Sequence, residues 1–222
     1  MSRTKTEPTV AETSADARPR VRDRIFEVAC GLFYRQGIRA VGVDAIVCAA
    51  GTNKMSFYRS FASKDELVAE YLRDRDRNFW RWWDAVVAPH GGDPRAQIEA
   101  LFEAHIHKTC ARDSRGCGLT NAAVEIVEED HPARQVIFEH KSEIRRRFRK
   151  LARAMAVHEP DQLGDSLMLL MEGGYLARLT FTRGGPVACA SQAAKTLIDA
   201  HGRVQVMAPL PAYGRQNEGR SR

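Results

Sequence analysis

The segment from Val43 to Leu67, VDAIVCAAGTNKMSFYRSFASKDEL, constrains the fold and the function of this chain more than any other stretch. It reads as two short helices joined at Gly51, because glycine adopts the left-handed conformation of a tight turn without steric cost. In the second short helix, Phe57 and Phe61 are four residues apart and therefore share one helical face. The spacing predicts that both phenyl rings point inward and leave an outward arc of polar and long side chains.

A helix with apolar residues behind and hydrogen-bonding side chains in front suits the major groove of DNA. The predicted DNA-contacting residues are Val43, Thr52, Asn53, Lys54, Met55, Ser56, Tyr58, Arg59 and Lys64. The candidates for base contacts are Lys54, Met55 and Arg59, and those for phosphate contacts are Ser56, Tyr58 and Lys64. For Arg59 two interpretations stay open, a bidentate bond to a guanine and a further phosphate contact.

This segment resembles the DNA-binding head of the TetR family of bacterial repressors. The positions that fit the family pattern in register are Val43, Ile46, Ala50, Gly51, Phe57, Tyr58, Phe61, Ser63, Lys64 and Leu67. The chain departs from the pattern at Gly42, where the family usually has a Thr or Ser helix cap. It also has Thr52, Asn53 and Met55 in place of the commoner Val, Ser and Gly. The resemblance implies double-stranded operator DNA as a partner, and the departures leave the operator sequence open.

One-sided apolar periodicity in most of the chain, with no convincing β pattern, predicts an all-α fold. A first helix is expected over 20–36, and Ser63 followed by Glu66 predicts a capping box that opens a helix reaching about residue 87. Further helices are predicted over 94–110, 118–129, 132–157, 160–182 and 186–201.

The predicted domains follow from these helices and from the polar, aperiodic ends of the chain. They are a disordered arm over 1–19, a three-helix DNA-binding domain over 20–80 with the helix–turn–helix at 42–61, a helical ligand-binding and dimerisation domain over 81–202, and a flexible tail over 203–222.

The stretch GCGLTNAAVE, residues 116–125, resembles a recurring element in the regulatory domains of TetR-family proteins. The resemblance implies a small-molecule pocket among these helices, with an effector of unknown identity. The predicted pocket residues are Trp83, Phe102, His105, Ile106, Leu119, Ala123, Ile126, Ile137, Met171 and Tyr175. The alternative for Trp83 and for His105 is a place in an apolar core without ligand contact.

The resemblance also implies a homodimer built from the last two long helices. The predicted interface residues are Leu167, Leu170, Gly174, Leu179, Ala190, Ala194 and Leu197, with a buried protomer core as the alternative. Gly173 and Gly174 would let another helix approach closely. Two-fold symmetry would place the recognition helices about 34–36 Å apart on a palindromic operator.

Composition sets the remaining expectations. The net charge of +6 favours a polyanionic partner. The sequence has no apolar run long enough for a membrane span and no apolar core of a signal peptide, so a cytoplasmic protein is expected. The five cysteines form no CxxC pair, and no metal site or cofactor is predicted. Enzyme signatures such as GxSxG, HExxH or a phosphate loop are missing from the sequence.

The sequence therefore predicts a ligand-responsive transcriptional regulator, most simply a repressor that an effector releases from its operator. The competing hypothesis is a DNA-binding regulator without such an effector, which senses a protein partner or thiol oxidation at Cys117 or Cys110. The effector, the operator, the target genes and the choice between repression and activation stay open.

Overall fold

The computed structural model of the chain describes residues 20–181 and 185–202, and the all-α prediction is confirmed over these residues. Their helices are α1 (Val21–Gln36), α2 (Val43–Ala49), α3 (Lys54–Ser60), α4 (Lys64–Val87), α5 (Pro94–Cys110), α6 (Gly118–Glu125), α7 (Ala133–Ala154), α8 (Pro160–Thr180) and α9 (Ala190–Gly202). Short 3₁₀ turns at Ala88–His90 and Pro186–Cys189 precede α5 and α9. The arm predicted over 1–19 and the tail predicted over 203–222 lie outside the described residues.

The helix predicted over 118–129 is shorter in the structure, where it ends at Glu125. The amide of Ile126 still donates to the carbonyl of Ala122, at 2.9 Å, and the chain then leaves the helix. The next residues include the acidic run Glu128–Asp130. Negative charge is unfavourable at a helix C-terminus because of the helix dipole, which accounts for the early end.

The chain divides into two compact units, and the first contains, of the described residues, 20–74 together with 121–136. Ile25 and Phe33 of α1 are buried there, as are Ile46 of α2 and Tyr71 of α4. The rings of Phe33 and Tyr71 lie 5.6 Å apart, centroid to centroid. The first unit thus ends within α4, at residue 74, and it also includes segment 121–136.

The second unit contains, of the described residues, 75–120, 137–181 and 185–202. Its helices α5, α8 and α9 pack against one another. Phe148 of α7 is a central core residue, since its ring lies 5.0 Å from that of Trp83 and 6.1 Å from that of Phe102. Among the described residues, no helix is both long enough and apolar enough to span a bilayer.

Candidate nucleic-acid interface and regulatory sites

The turn between α2 and α3 has the geometry that the sequence predicts. Gly51 has φ +61°, in the left-handed region, and the amide of Thr52 donates to the Val47 carbonyl at 2.9 Å. Asn53 caps α3, because its side-chain oxygen accepts a hydrogen bond from the Ser56 amide at 3.0 Å. The asparagine that replaces the commoner serine thus performs the same capping role. Gly42, at the start of α2, makes no side-chain cap.

The two faces of α3 differ as expected from the phenylalanine spacing. Phe57 and Phe61 are buried, with ring centroids 5.8 Å apart. On the opposite face, Met55 is 67% exposed and Tyr58 is 57% exposed, and Arg59 is exposed too. The buried rings fix the helix from behind, so the exposed side chains form a protruding ridge that can enter a groove.

The charges at the edge of this ridge already have partners within the first unit. Lys54 forms an exposed ion pair with Asp44, with Nζ 2.9 Å from Oδ1, and this contact raises the pKa of Lys54. Lys64 Nζ donates to the Ile38 carbonyl at 2.7 Å, and partial burial lowers its pKa. Val43 and Thr52 are half-buried beside the ridge. Contacts of all these residues with DNA stay predictions.

Arg39 is a structural residue of this unit that the sequence analysis missed. Its amide donates to Glu125 Oε2 at 3.0 Å, its Nε donates to the Glu125 carbonyl at 2.7 Å, and its guanidinium pairs with Glu128 at 2.6 Å. These bonds fasten segment 121–136 to the loop before α2. The sequence feature that pointed to this contact was Glu125, the last residue of the GCGLTNAAVE stretch.

Several predicted pocket residues pack against one another in the second unit. Phe102, His105 and Met171 are fully buried, and the rings of His105 and Tyr175 meet edge to face with centroids 4.4 Å apart. Burial lowers the pKa of His105 to about 4. A Cβ atom added at Gly174 would lie 2.4 Å from His105 Nε2, so the glycine makes room for the imidazole.

The other predicted pocket residues are dispersed. Leu119 and Ile137 are buried and Ile106 is half-buried, whereas Ala123 is exposed. Ala123 and Ile126 cluster with the first unit rather than the second. A cavity of about 560 Å³ lies elsewhere in the second unit. Trp83 is the predicted pocket residue that lines it. The lining residues are Trp83, Gly92, Pro94, Gln97, Arg146, Arg147, Lys150, Leu151 and Ala154.

The predicted dimer residues lie on two different faces. Leu167, Gly174, Ala190 and Ala194 are buried within the protomer, Leu170 and Leu197 are half-buried, and Leu179 is exposed. The buried members have no surface that a partner could cover in this arrangement, and they fit the alternative of a protomer core. Apolar side chains are exposed instead on another face of α8, at Leu169 (72%) and Leu176 (59%).

Comparisons with known proteins identify the class to which this arrangement belongs. The sequence profile of the family described as "Bacterial regulatory proteins, tetR family" matches residues 25–71, which span α1 to the first turns of α4. A regulator of the TetR type from Streptomyces avermitilis, Sav143, has a solved structure with 31% sequence identity and a TM-score of 0.71. The superposition covers 82% of this chain and 97% of that one. The chain therefore belongs to the TetR family of transcriptional regulators, which are DNA-binding proteins and not enzymes.

Two curated repressors are similar to part of this chain. The transcriptional repressor KstR2 of Rhodococcus jostii is 31% identical over 132 residues, which are 59% of this chain and 60% of that protein. KstR2 of Mycobacterium tuberculosis is 37% identical over 84 residues, which are 37% of this chain and 41% of that protein. The matched stretches thus span less than two thirds of either repressor. SCO4454 of Streptomyces coelicolor, at 23% identity and a TM-score of 0.73, shares the fold.

Proposed function

We propose that this chain is a cytoplasmic, homodimeric repressor that binds a palindromic operator and is released by a small-molecule effector. The observation that carries the proposal is the ridge of α3, where Met55, Tyr58 and Arg59 are exposed above two buried phenylalanines. The ridge supplies a methyl group, a phenol and a guanidinium, which suit a thymine methyl, a phosphate and a guanine edge.

Selection of bound sequences from a random duplex pool, at a stated salt concentration, tests the operator proposal. A consensus with two symmetric half-sites whose centres are about 10 base pairs, or a multiple of one helical turn, apart would support it. A consensus without symmetry would refute the palindromic operator.

Substitutions on the ridge test which surface binds. Arg59→Ala should weaken binding to the selected operator by about 5- to 150-fold, the equivalent of one bidentate base contact. Tyr58→Ala should weaken specific and non-specific DNA similarly, because a phosphate contact carries no sequence information. Arg112→Ala is the matched control, since Arg112 is exposed in the second unit and its loss changes the net charge equally. Equal affinities of all three variants would refute the proposed interface.

The exposed apolar face of α8 supports the homodimer. Leu169, Gly173 and Leu176 follow one another at helical spacing and are all exposed. Leu176→Glu should raise the dimer dissociation constant by about tenfold or more, because the interface would then bury an unpaired charge. Sedimentation equilibrium measures this change. Val124→Glu, at an exposed residue of the first unit, is the control. A wild-type monomer at micromolar concentration, or a Leu176→Glu dimer of unchanged affinity, would contradict the proposal.

The effector proposal is supported by the 560 Å³ cavity, whose volume suits a small organic molecule. Lys150 and Trp83 line it, which favours a molecule that has an anionic group and an apolar body; the lining residues Arg146 and Arg147 already pair with Glu143. A thermal-shift screen of anionic metabolites should find such molecules. Any hit must then bind more weakly to the operator complex than to the free protein, because linkage between the two sites is reciprocal. Equal affinities would refute its role as an inducer.

A further inference from the structure

A cluster of ionisable side chains in the second unit surrounds Cys117, which lies directly before α6 and is 7% exposed. The preceding Gly116 has φ +70°, and a Cβ atom there would lie 2.8 Å from the carbonyl oxygen of Tyr175 in α8. Only glycine allows this turn to approach α8 so closely. The GCG sequence therefore holds the Cys117 thiol against charged groups of α7 and α8.

Lys141 of α7 is the cation next to the sulfur. Its Nζ lies 3.8 Å from Cys117 Sγ and donates to Thr120 Oγ1 at 2.8 Å and to both carboxylate oxygens of Glu172 at 2.7 Å. Thr120 Oγ1 donates in turn to Glu172 Oε2 at 2.7 Å. Because the ammonium group is held by three oxygen acceptors, its charge has a fixed position beside the thiol.

His140, on the same helix, supplies a second group. Its imidazole is fully buried, and Nδ1 lies 2.7 Å from Asp76 Oδ1, which also accepts from Trp80 Nε1 at 2.7 Å. A carboxylate only accepts hydrogen bonds, so Nδ1 carries a proton. Among the residues that the structure describes, Nε2 has no hydrogen-bond partner, and the His140 side chain interacts with Cys117. A buried histidine that a carboxylate orients thus has an unsatisfied ring nitrogen available for the proton of the thiol.

These neighbours change the ionisation of the thiol. Burial alone raises its pKa, but Lys141 and His140 lower it by more, against a smaller opposing effect of Glu172, so the pKa of Cys117 falls to about 6. Lys108 of α5 is a further cation that interacts with it. At pH 7 the group is therefore mostly a thiolate, whereas an ordinary thiol of pKa about 8.5 is ionised to about 3%.

We propose that Cys117 is a redox site at which a small hydroperoxide oxidises the thiolate to a sulfenic acid while His140 protonates the leaving oxygen. The sulfur attacks one peroxide oxygen, an S–O bond forms, and the O–O bond breaks. The proton that the thiol gives up passes to Nε2 of His140, which delivers it to the departing oxygen, so that oxygen leaves as water, or as an alcohol from an organic hydroperoxide. Sulfur loses two electrons and the peroxide gains them, so no other reactant is needed.

The proton donor matters more here than the low pKa. Ionisation gives Cys117 about 30 times more thiolate at pH 7 than an ordinary thiol, but the lower basicity of that thiolate removes about tenfold of the advantage. General acid catalysis can add about 100-fold.

The wild-type protein provides the first test. The full chain is treated with hydrogen peroxide at pH 7 in the presence of dimedone, and trapped sulfenic acid is quantified for each cysteine by peptide mass spectrometry. Cys117 should react at least about tenfold faster than Cys48 and Cys110, which are exposed. A rate no greater than theirs would overturn the proposal, and this comparison needs no variant that must fold.

Two variants separate the roles of the neighbours. Each is treated with hydrogen peroxide and, separately, with iodoacetamide, and the rate of Cys117 modification is measured for both reagents. Both reactions depend equally on the thiolate fraction, but the iodide of iodoacetamide leaves without a proton. The ratio of the peroxide rate to the iodoacetamide rate therefore reports on the proton donor alone. Lys141→Met should lower both rates at pH 7 and leave their ratio unchanged. His140→Gln should lower the ratio about tenfold or more. Arg153→Met, at an exposed position of the same helix, is the control. An unchanged ratio in His140→Gln, with a wild-type circular dichroism spectrum, would refute the proton-donor role.

This chemistry uses no residue of α3, so its failure and a failure of DNA binding are distinguishable.

Discussion

The buried side chain of His105 makes the stability of the second unit depend on pH, over the interval between the pKa of His105 in the folded protein and its pKa in the unfolded chain. The imidazole is fully buried, and burial lowers its pKa to about 4. In the unfolded chain the same group takes up a proton near pH 6.5. Acidification between these two values therefore favours the unfolded state, and the stability that is present above pH 6.5 is lost as the pH falls toward 4.

The size of the loss follows from the two pKa values. Between pH 7.5 and pH 5, protonation of the unfolded state alone lowers the free energy of unfolding by about 2 kcal/mol, and full protonation below pH 4 brings this to about 3.4 kcal/mol. Glu143 contributes at lower pH. Arg146 and Arg147 lower the pKa of its carboxyl group to about 2 against partial burial, so its contribution to stability is lost as the pH falls below about 4.5.

Urea denaturation of the wild type and of His105→Gln, at pH 7.5 and at pH 5, measures this effect. The wild type should lose about 2 kcal/mol more than the variant between the two pH values. His107→Gln, at an exposed residue of the same helix, should behave like the wild type. If His105→Gln lost as much stability as the wild type over this interval, a neutral buried imidazole would not be the cause and the reasoning would be refuted.

Four further substitutions have expected outcomes from local geometry. Gly116→Ala should lower the free energy of unfolding by about 1–3 kcal/mol, because a left-handed φ of +70° and a carbonyl oxygen 2.8 Å from the new Cβ both oppose it; thermal denaturation measures the loss. Phe57→Ala should lower the free energy of unfolding by about 3–5 kcal/mol in urea denaturation, because the ring is fully buried, while Tyr58→Ala should change it by about 0.5 kcal/mol or less. Arg39→Ala should speed amide hydrogen exchange across 121–136, because that segment loses two side-chain contacts, and unchanged exchange would show that other contacts hold it.

The elements of the DNA-binding head could be predicted from the sequence because their signals are local. The interval between Phe57 and Phe61, the glycine at 51 and the Ser63 cap each act within one or two helical turns. The capping bond from the Glu66 amide to Ser63 Oγ, at 3.1 Å, is present as expected, and α4 ends at the expected residue. Family resemblance then supplied the function, which periodicity alone does not contain.

The orientation of α8 was not predictable in the same way. The helix carries apolar residues at five consecutive positions, from Leu167 to Met171. Such a run shows no preference for one helical face, so periodicity does not identify which side is buried. In the structure Leu167 and Met171 face the core, while Leu169 is exposed. The placement of the dimer surface depends on this choice, which packing against α5 and α9 decides.

Sequence alone determined that the chain is helical and that a short helix beginning at Lys54 presents a polar face, since both depend on the spacing of neighbouring residues. Tertiary structure alone decided which distant residues meet. It fastened Glu125 to Arg39, 86 residues away, and it brought Lys141 beside a cysteine 24 residues earlier. Such contacts arise from how helices pack and from which charges burial forces together, and no local pattern in the sequence encodes them.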